Sequence, residues 1–157
     1  VVADGAFAAF NLVDSSVIKR IHAIVTDADG GEGVIQAMAH PHLLWILHPH
    51  SDNLDEIVTL AQHLVELGRS VVVTHQLEEE IDGAINVGGI TDGDRAACIA
   101  RCVLIPTEIK LKGFSTNQLG RWSNHSNQEM KLLKLDWMAR VLDALGFNGF
   151  RTNQPKS

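Results

Sequence analysis

Short apolar runs of strand length alternate with longer amphipathic stretches, and this alternation constrains the fold more than any other feature of the chain. Three runs are almost continuously apolar: His22–Thr26, Leu43–Leu47 and Val71–Thr74. Such runs are typical of strands that are buried on both faces of a parallel sheet. The sequence predicts two further strands, an early one that includes Val1–Ala3 and a late one over Glu108–Lys112.

The stretches between and after these runs have the apolar spacing of helices. The predicted helices cover Gly33–His40, Asn53–Gly68, Asp92–Val103 and Ser126–Leu145. Asp52 or Asn53 suits the N-cap of the second helix, and Gly68 its end. Alternating strands and helices predict an α/β fold, an open and mostly parallel sheet with helices on both faces. The pattern does not specify the strand order.

Length and composition indicate one folded domain. The chain has 157 residues with 45% hydrophobic and 20% charged residues, which excludes an intrinsically disordered chain. We expect a single domain over residues 1–150 and a polar tail over 151–157 that frays. The chain begins with Val1 at a predicted strand, so we also expect that an N-terminal segment is missing.

The net charge and the cysteine content limit which classes of partner and which cellular compartment we expect. The formal net charge of −6 argues against a nucleic-acid partner, and no apolar run reaches the ~20 residues of a membrane span. Two cysteines, Cys98 and Cys102, lie one turn apart on a predicted helix, where they suit its buried side better than a redox pair. We therefore expect a cytoplasmic protein, and the sequence leaves a homo-oligomer open.

Polar residues collect where the predicted strands end. Because the carboxyl ends of neighbouring parallel strands share one edge, these residues form a candidate ligand site. They are Asp4, then Asp27 and Asp29, then His48, His50, Asp52 and Asn53, and finally Gln76.

The carboxylates in this set favour a divalent cation. Asp27 and Asp29 are two residues apart, so in an extended chain they point to the same side, and Asp52 is a third candidate ligand. Such hard oxygen ligands suit Mg²⁺, held partly through water and substrate phosphates. Each element also has an ordinary interpretation, since Asp-x-Asp-Gly occurs in plain turns and Asp52 can cap a helix. His48 and His50 are loop histidines or metal ligands, but the carboxylates outnumber them and no thiolate is near, which favours Mg²⁺ over zinc.

A glycine-rich loop, Gly88–Arg95, precedes a predicted helix. Thr91 or Asp92 suits the helix cap, the helix N-terminus favours an anion, and Arg95 can bind a phosphate. Of the two acids beside Arg95, Asp92 and Asp94, one can hold the arginine while the other faces a ligand. A plain glycine loop with a capped helix is the alternative. Further along, Lys131 and Lys134 share a helix face, which points at phosphates or only at solvent.

Four motifs in this order resemble the archaeal 6-hydroxymethyl-7,8-dihydropterin diphosphokinase family, which is related to the thiamine pyrophosphokinases. They are Ala3–Ala6, Val25–Gly30, His48–Asn53 and Gly88–Arg95. Gly120-Arg121-Trp122 and Lys131-x-x-Lys134-Leu135 are similar to the C-terminal region of that family. Three positions depart from the family pattern without loss of an acid, histidine or arginine, namely Ala28, Ser51 and Ile90.

The resemblance implies a Rossmann-like fold, similar to the catalytic domain of thiamine pyrophosphokinase, and a Mg²⁺-dependent transfer of diphosphate from ATP to the hydroxymethyl group of the pterin, with release of AMP. The implied metal ligands are Asp27, Asp29 and Asp52. The implied catalytic residues are Asp27, Asp29, His48, His50, Asp52, Asp94 and Arg95. The implied ATP-binding and pterin-binding residues are Asp4, Asn53, Gln76, Thr91, Asp92, Arg95, Lys131 and Lys134. Two alternatives stay open: a thiamine pyrophosphokinase-like activity, and a nucleotide-binding module without turnover.

Overall fold

Five parallel strands form one sheet in which the strands follow chain order, β1-β2-β3-β4-β5. The computed structural model describes residues 1–12, 15–116 and 128–147. The strands are β1 (Val2–Ala3), β2 (Ala23–Thr26), β3 (Leu44–Leu47), β4 (Ser70–Thr74) and β5 (Ala84–Ile85). Within the described residues the order shows no reversal of the kind found in doubly wound dinucleotide-binding sheets.

Helices connect the strands and cover the sheet. They are α1 (Ser15–Ile18), α2 (Glu32–Met38), α3 (Leu54–Glu66), α4 (Asp92–Arg101) and α5 (Gln128–Ala144). Two 3₁₀ helices, Asp4–Leu12 and Pro106–Glu108, complete the described elements. No helix in these parts of the chain is long and apolar enough to span a membrane.

One face of the sheet is covered by the crossover segments. Right-handed crossovers between strands in sequential order place every connecting helix on the same side. The main core accordingly joins Trp45 and Leu47 of β3 to Phe7 of the first 3₁₀ helix, Val34 of α2 and Leu64 of α3. Trp45 is fully buried in this core.

The opposite face is covered by a helix that follows the last strand. Helix α4 lies against β1 and β2, and Ala96 packs with Val25 and Ile46. Helix α5 then packs on the outer side of α4 through Met138 and Leu142. Both faces of the sheet are therefore covered, as the sequence predicted, and all four residues of β2 are buried.

Two local predictions are wrong. The strand expected over Glu108–Lys112 is replaced by the 3₁₀ helix Pro106–Glu108 and irregular chain, because Pro106 begins a turn that the Glu108 carboxylate closes on the Ile105 N–H. Cys98 is buried as expected, whereas Cys102 lies exposed at the C-cap of α4.

Strand β5 was not predicted, because its two residues follow an acidic loop and show no strand pattern of their own.

Several other predictions stay untested. Residues 120–122, the start of the last helix at 126–127 and the tail 151–157 lie outside the described residues, as does the side chain of Lys131. The single-domain boundary, the cytoplasmic setting and the homo-oligomer remain predictions.

Candidate active site

Three carboxylates meet at the carboxyl edge of the sheet. Asp4 directly follows β1, while Asp27 and Asp29 follow the neighbouring β2, and one carboxylate oxygen of each lies within 4.8 Å of the others. The Thr26 hydroxyl donates a hydrogen bond of 2.6 Å to Asp4 Oδ1 and fixes that carboxylate against β2. Asp27 and Asp29 were predicted as a pair, and the third member of the group is Asp4 rather than Asp52.

The close approach of these loops depends on backbone conformations that few residues adopt. Asp4 and Ala28 both have positive φ, 42° and 74°, a region that costs non-glycine residues free energy and that often marks functional sites. A Cβ atom on Gly30 would lie 2.3 Å from Asp4 Oδ1 and 2.5 Å from the Gly5 nitrogen. Position 30 therefore has to be glycine for the Asp4 loop to pack against the Asp29 loop.

The electrostatics of this group fit a bound cation. Burial and the charges of Asp27 and Asp4 raise the pKa of Asp29 to about 7, and burial likewise raises the pKa of Asp4. Burial together with the same three carboxylates raises the pKa of Asp92 well above its usual range. Asp92 Oδ1 is buried and has no hydrogen-bond partner among the described residues. A divalent cation would neutralise this repulsion, so the donor set fits Mg²⁺.

Asp52 is joined to the carboxylate group through His50. His50 Nδ1 lies 2.5 Å from Asp52 Oδ1, and His50 Nε2 lies 3.3 Å from Asp27 Oδ2. The Asp52 side chain is 85% exposed, and its hydrogen bond to His50 lowers its pKa. Lys134 on α5 is near enough for its charge to contribute to that lowering. Asp52 is thus placed to orient His50 at the rim of the site.

Asn53 ties two of the site loops together. Its side-chain amide donates to the backbone oxygens of Asp27, at 2.8 Å, and His48, at 3.1 Å. Its side-chain oxygen accepts from the His50 N–H at 2.7 Å. Asn53 occupies the N-cap position of α3, but its side chain makes no capping hydrogen bond there because it is used between the loops.

The glycine loop is held by Asp94. Asp94 Oδ1 accepts hydrogen bonds of 2.6 Å from the N–H and from the hydroxyl of Thr91, and Oδ2 accepts one of 2.9 Å from the Ile90 N–H. Thr91 is the N-cap of α4, and its hydroxyl in turn accepts from the Asp94 N–H. Thr91 and Asp94 were predicted as binding and catalytic residues respectively. In the structure their side chains hydrogen-bond within the loop and hold it in place.

Arg95 is buried against His48 and the glycine loop. It is 0% exposed, and its Nη2 donates to His48 Nε2 at 3.1 Å and to the Gly89 oxygen at 2.9 Å. A Cβ atom on Gly89, whose φ is +88°, would lie 2.7 Å from Arg95 Cα, so this position also needs glycine. Burial and the Arg95 charge lower the pKa of His48 to about 4, which keeps His48 neutral near pH 7.

Two residues that contact the site were not predicted from the sequence. Thr26 and Thr74 are fully buried, and their hydroxyls bond Asp4 and His48 respectively. Each threonine is the last residue of an apolar run, which is the signal that could have identified them. Gln76, which was predicted to bind a ligand, is exposed and donates to the Gly89 oxygen at 3.0 Å.

Comparison with known proteins gives three archaeal relatives, each named 6-hydroxymethyl-7,8-dihydropterin pyrophosphokinase. The Pyrococcus furiosus protein is 31% identical over 156 residues, which cover 95% of this chain and 62% of the relative. The Methanothermobacter thermautotrophicus protein is 31% identical over 157 residues, with 94% and 62% covered. The Methanocaldococcus jannaschii protein is 32% identical over 100 residues, with 64% and 40% covered. No protein-family model and no solved structure matches the chain.

These relatives confirm the resemblance that the motifs predicted. The chain spans 62% of the length of the Pyrococcus furiosus relative. It is therefore similar, over about three fifths of their length at most, to the archaeal 6-hydroxymethyl-7,8-dihydropterin pyrophosphokinases.

Proposed function

We propose that this chain carries the active site of a diphosphokinase that transfers diphosphate from ATP to the hydroxymethyl group of 6-hydroxymethyl-7,8-dihydropterin and releases AMP. The observation that carries the proposal is the group of three carboxylates, Asp4, Asp27 and Asp29, at the sheet edge that also receives the buried Arg95. Acids and a guanidinium at one edge suit a reaction that needs positioning and charge neutralisation. The names of the three relatives supply the choice of substrates.

Asp4, Asp27 and Asp29 are the residues that would hold Mg²⁺. When bound, Mg²⁺ supplies neutralisation of the phosphate oxygens of ATP. The observation that supports this fit is the raised pKa of Asp29 and of Asp4, since carboxylates that repel one another gain from a shared cation. Asp52 was predicted as a ligand, but its bond to His50 gives it an orienting role in this proposal.

The transfer itself requires an oxygen nucleophile, a leaving group and a proton acceptor. The pterin hydroxymethyl oxygen forms a bond to the β-phosphorus, the bond from that phosphorus to the α–β bridging oxygen breaks, and the electron pair leaves with AMP. Arg95 stabilises the negative charge that develops on the phosphate oxygens. His50 takes the hydroxyl proton at Nε2, in the tautomer whose Nδ1 proton is held by Asp52 and with the substrate hydroxyl in place of Asp27 Oδ2, which lies 3.3 Å from Nε2.

Two further groups are proposed to bind substrate. Asp92 Oδ1 has no partner among the described residues, so it can accept an N–H of the pterin, which presents a donor edge. Asn86 is a weaker candidate, because its amide already donates to the Leu77 oxygen and its carbonyl accepts from the Gly88 N–H. Lys134 is exposed on α5, near Asp52, where it can meet the triphosphate.

The test is AMP formation from Mg-ATP with the pterin, alongside a thiamine reaction and a reaction without acceptor. We expect pterin-dependent AMP release that stops when the metal is chelated. Release with thiamine alone would assign the sister activity, and ATP binding without release under any condition would assign a binding module.

A pair of matched variants tests the carboxylate group. Asp27→Asn removes one charge from the group and should lower the rate by at least about 100-fold, a typical loss when charge stabilisation is removed. Asp82→Asn makes the same chemical change at an exposed position and should leave the rate unchanged. Full activity of Asp27→Asn would remove the metal assignment.

A further inference from the structure

We propose that Thr74 and His48 are positioning residues that hold the Arg95 guanidinium so that its remaining donors can bind a phosphoryl group of the substrate. The inference rests on the proposed function and adds to it a role for Thr74 and a restricted role for His48. It follows from counting donors and acceptors along one buried chain of side chains.

Arg95 can only donate hydrogen bonds. Its Nη2 lies 3.1 Å from His48 Nε2, so that ring nitrogen has to be the acceptor and carries no proton. In a neutral imidazole the proton is then on Nδ1. Nδ1 lies 3.4 Å from Thr74 Oγ1, and the Thr74 hydroxyl has one proton of its own, which it donates to the Leu47 oxygen at 3.1 Å.

The result is a chain of hydrogen bonds with a single direction: Arg95 to His48, His48 to Thr74, and Thr74 to the Leu47 carbonyl at the end of β3. The three side chains are at most 3% exposed, so these hydrogen bonds lie in the interior of the protein. Because the acceptor nitrogen of His48 is used by Arg95, His48 does not act as the proton acceptor. The backbone of β3 instead fixes its tautomer through Thr74.

Arg95 keeps donors that nothing in the described residues uses. A guanidinium has five N–H donors, and the two on Nη2 go to His48 and the Gly89 oxygen, which leaves 5 − 2 = 3 on Nε and Nη1. Both atoms are buried and lack a partner among the described residues. Leaving buried charged donors unpaired is costly, so the arrangement is explained by an anion that completes them. Asp92 is the carboxylate whose charge acts most strongly on Arg95, but its buried Oδ1 makes no hydrogen bond to these donors. In the proposed function the other three carboxylates hold a cation, and a phosphate bound to the same cation can complete the donors of Arg95.

The test compares two substitutions of Thr74. Thr74→Val keeps the branched shape and the hydrogen bond between His48 and the Thr74 backbone, but it removes the hydroxyl that contacts His48 Nδ1 and bonds the Leu47 oxygen. The His48 ring, and with it the Arg95 guanidinium, is then held less firmly. We expect Thr74→Val to weaken binding of inorganic pyrophosphate and of Mg-ATP by about 5- to 10-fold, the value of one hydrogen bond. Thr74→Ser restores the hydroxyl and should bind within about 2-fold of wild type. Thr59→Val is the matched control, since the Thr59 hydroxyl bonds a helix carbonyl on the exposed side of α3.

Measuring turnover and pyrophosphate binding separately distinguishes a failure of this inference from a failure of the proposed function. If the chain is active, Thr74→Val should raise the KM for ATP and leave the KM for the pterin unchanged, which a general loss of structure would not do. If the wild-type chain binds pyrophosphate but releases no AMP, the proposed function fails and the Arg95 assignment stands. A wild-type chain that binds neither pyrophosphate nor Mg-ATP would overturn the assignment.

A second measurement needs no variant. Nitrogen-15 correlation spectra of the histidine rings report which nitrogen carries the proton, and we expect a protonated Nδ1 and a bare Nε2 for His48 between about pH 6 and 8. The opposite tautomer, or equal pyrophosphate binding by Thr74→Val and wild type, would overturn the proposal.

Discussion

Replacing Asp94 by Asn tests whether the glycine loop is held by a carboxylate. In the native chain, Oδ1 accepts the N–H and the hydroxyl of Thr91, and Oδ2 accepts the Ile90 N–H. An asparagine keeps one oxygen, which can retain the two Thr91 bonds, but it turns an NH₂ group toward the Ile90 N–H. The substitution therefore breaks one bond to a charged acceptor and weakens two others.

The magnitude follows from these three bonds. A lost hydrogen bond to a charged group costs about 1.5–3 kcal/mol, and neutralising the acceptor of the remaining two weakens each further. We expect a loss of about 3 kcal/mol in the free energy of unfolding. For a chain of this size that corresponds to a fall of about 6–12 °C in Tm. The Gly89 oxygen that holds Arg95 lies in the same loop, so pyrophosphate binding should weaken as well.

The assay is urea or thermal denaturation of wild type, Asp94→Asn and a matched exposed control, Asp82→Asn. The control should change the free energy of unfolding by less than about 0.5 kcal/mol. If Asp94→Asn lowered the free energy of unfolding as little as the control does, the carboxylate would not be holding the loop. A normal stability combined with a large loss of turnover would instead return Asp94 to the catalytic role that the sequence predicted.

Three further predictions follow from the site and from α4. Gly30→Ala places a Cβ atom 2.3 Å from Asp4 Oδ1, so Mg²⁺ titration should show binding weakened at least about 10-fold, and unchanged affinity would contradict the packing argument. Because Asp29 binds its proton more tightly in the folded chain, its contribution to the stability of the metal-free protein should fall as pH rises from about 4 to about 7 and then level off. Urea unfolding of Asp29→Asn should show a smaller slope over this range, the remainder coming from Asp4 and Asp92, whose pKa values are also raised. Burial raises the pKa of Cys98 to about 11, so iodoacetamide should modify the exposed Cys102 in the folded protein and leave Cys98 intact, as mass spectrometry of peptides would show.

Much of the sheet could be predicted because burial on both faces leaves a direct mark on the sequence. The runs that became β2, β3 and β4 are apolar at nearly every position, and the polar residues after them had to lie at one edge once the strands were parallel. The two-residue strand β5 carries no such mark. Its position depends on pairing with β4 rather than on its own side chains.

Membership of the carboxylate group could be predicted only in part. Asp27 and Asp29 are neighbours in sequence, so their spacing alone brings them together. Asp4 joins them because β1 pairs with β2, and periodicity contains no information on strand order. Asp52 was an equally reasonable third member by sequence, but His50 lies between it and Asp27 and bonds both.

The role of Asp94 shows a different limit. An acid beside an arginine in a glycine loop predicts an ion pair or a ligand contact equally well. The structure uses the Asp94 carboxylate on backbone N–H groups of the loop, a choice that depends on the local turn geometry.

Helix α4 covers the face of the sheet opposite the crossover segments, and this has a consequence for how the site is assembled during synthesis. Residues up to β5 can pair in the order in which they leave the ribosome, since each strand joins the one just before it. At that stage the acids after β1 and β2 can already be neighbours, while the guanidinium has not yet arrived. The docking of α4 both buries the apolar side of β2 and brings Arg95 to His48, which follows β3. Completion of the candidate site is thereby tied to the packing of Ala96 of α4 against Val25 and Ile46. A chain arrested before α4 docks would present an acidic sheet edge without Arg95.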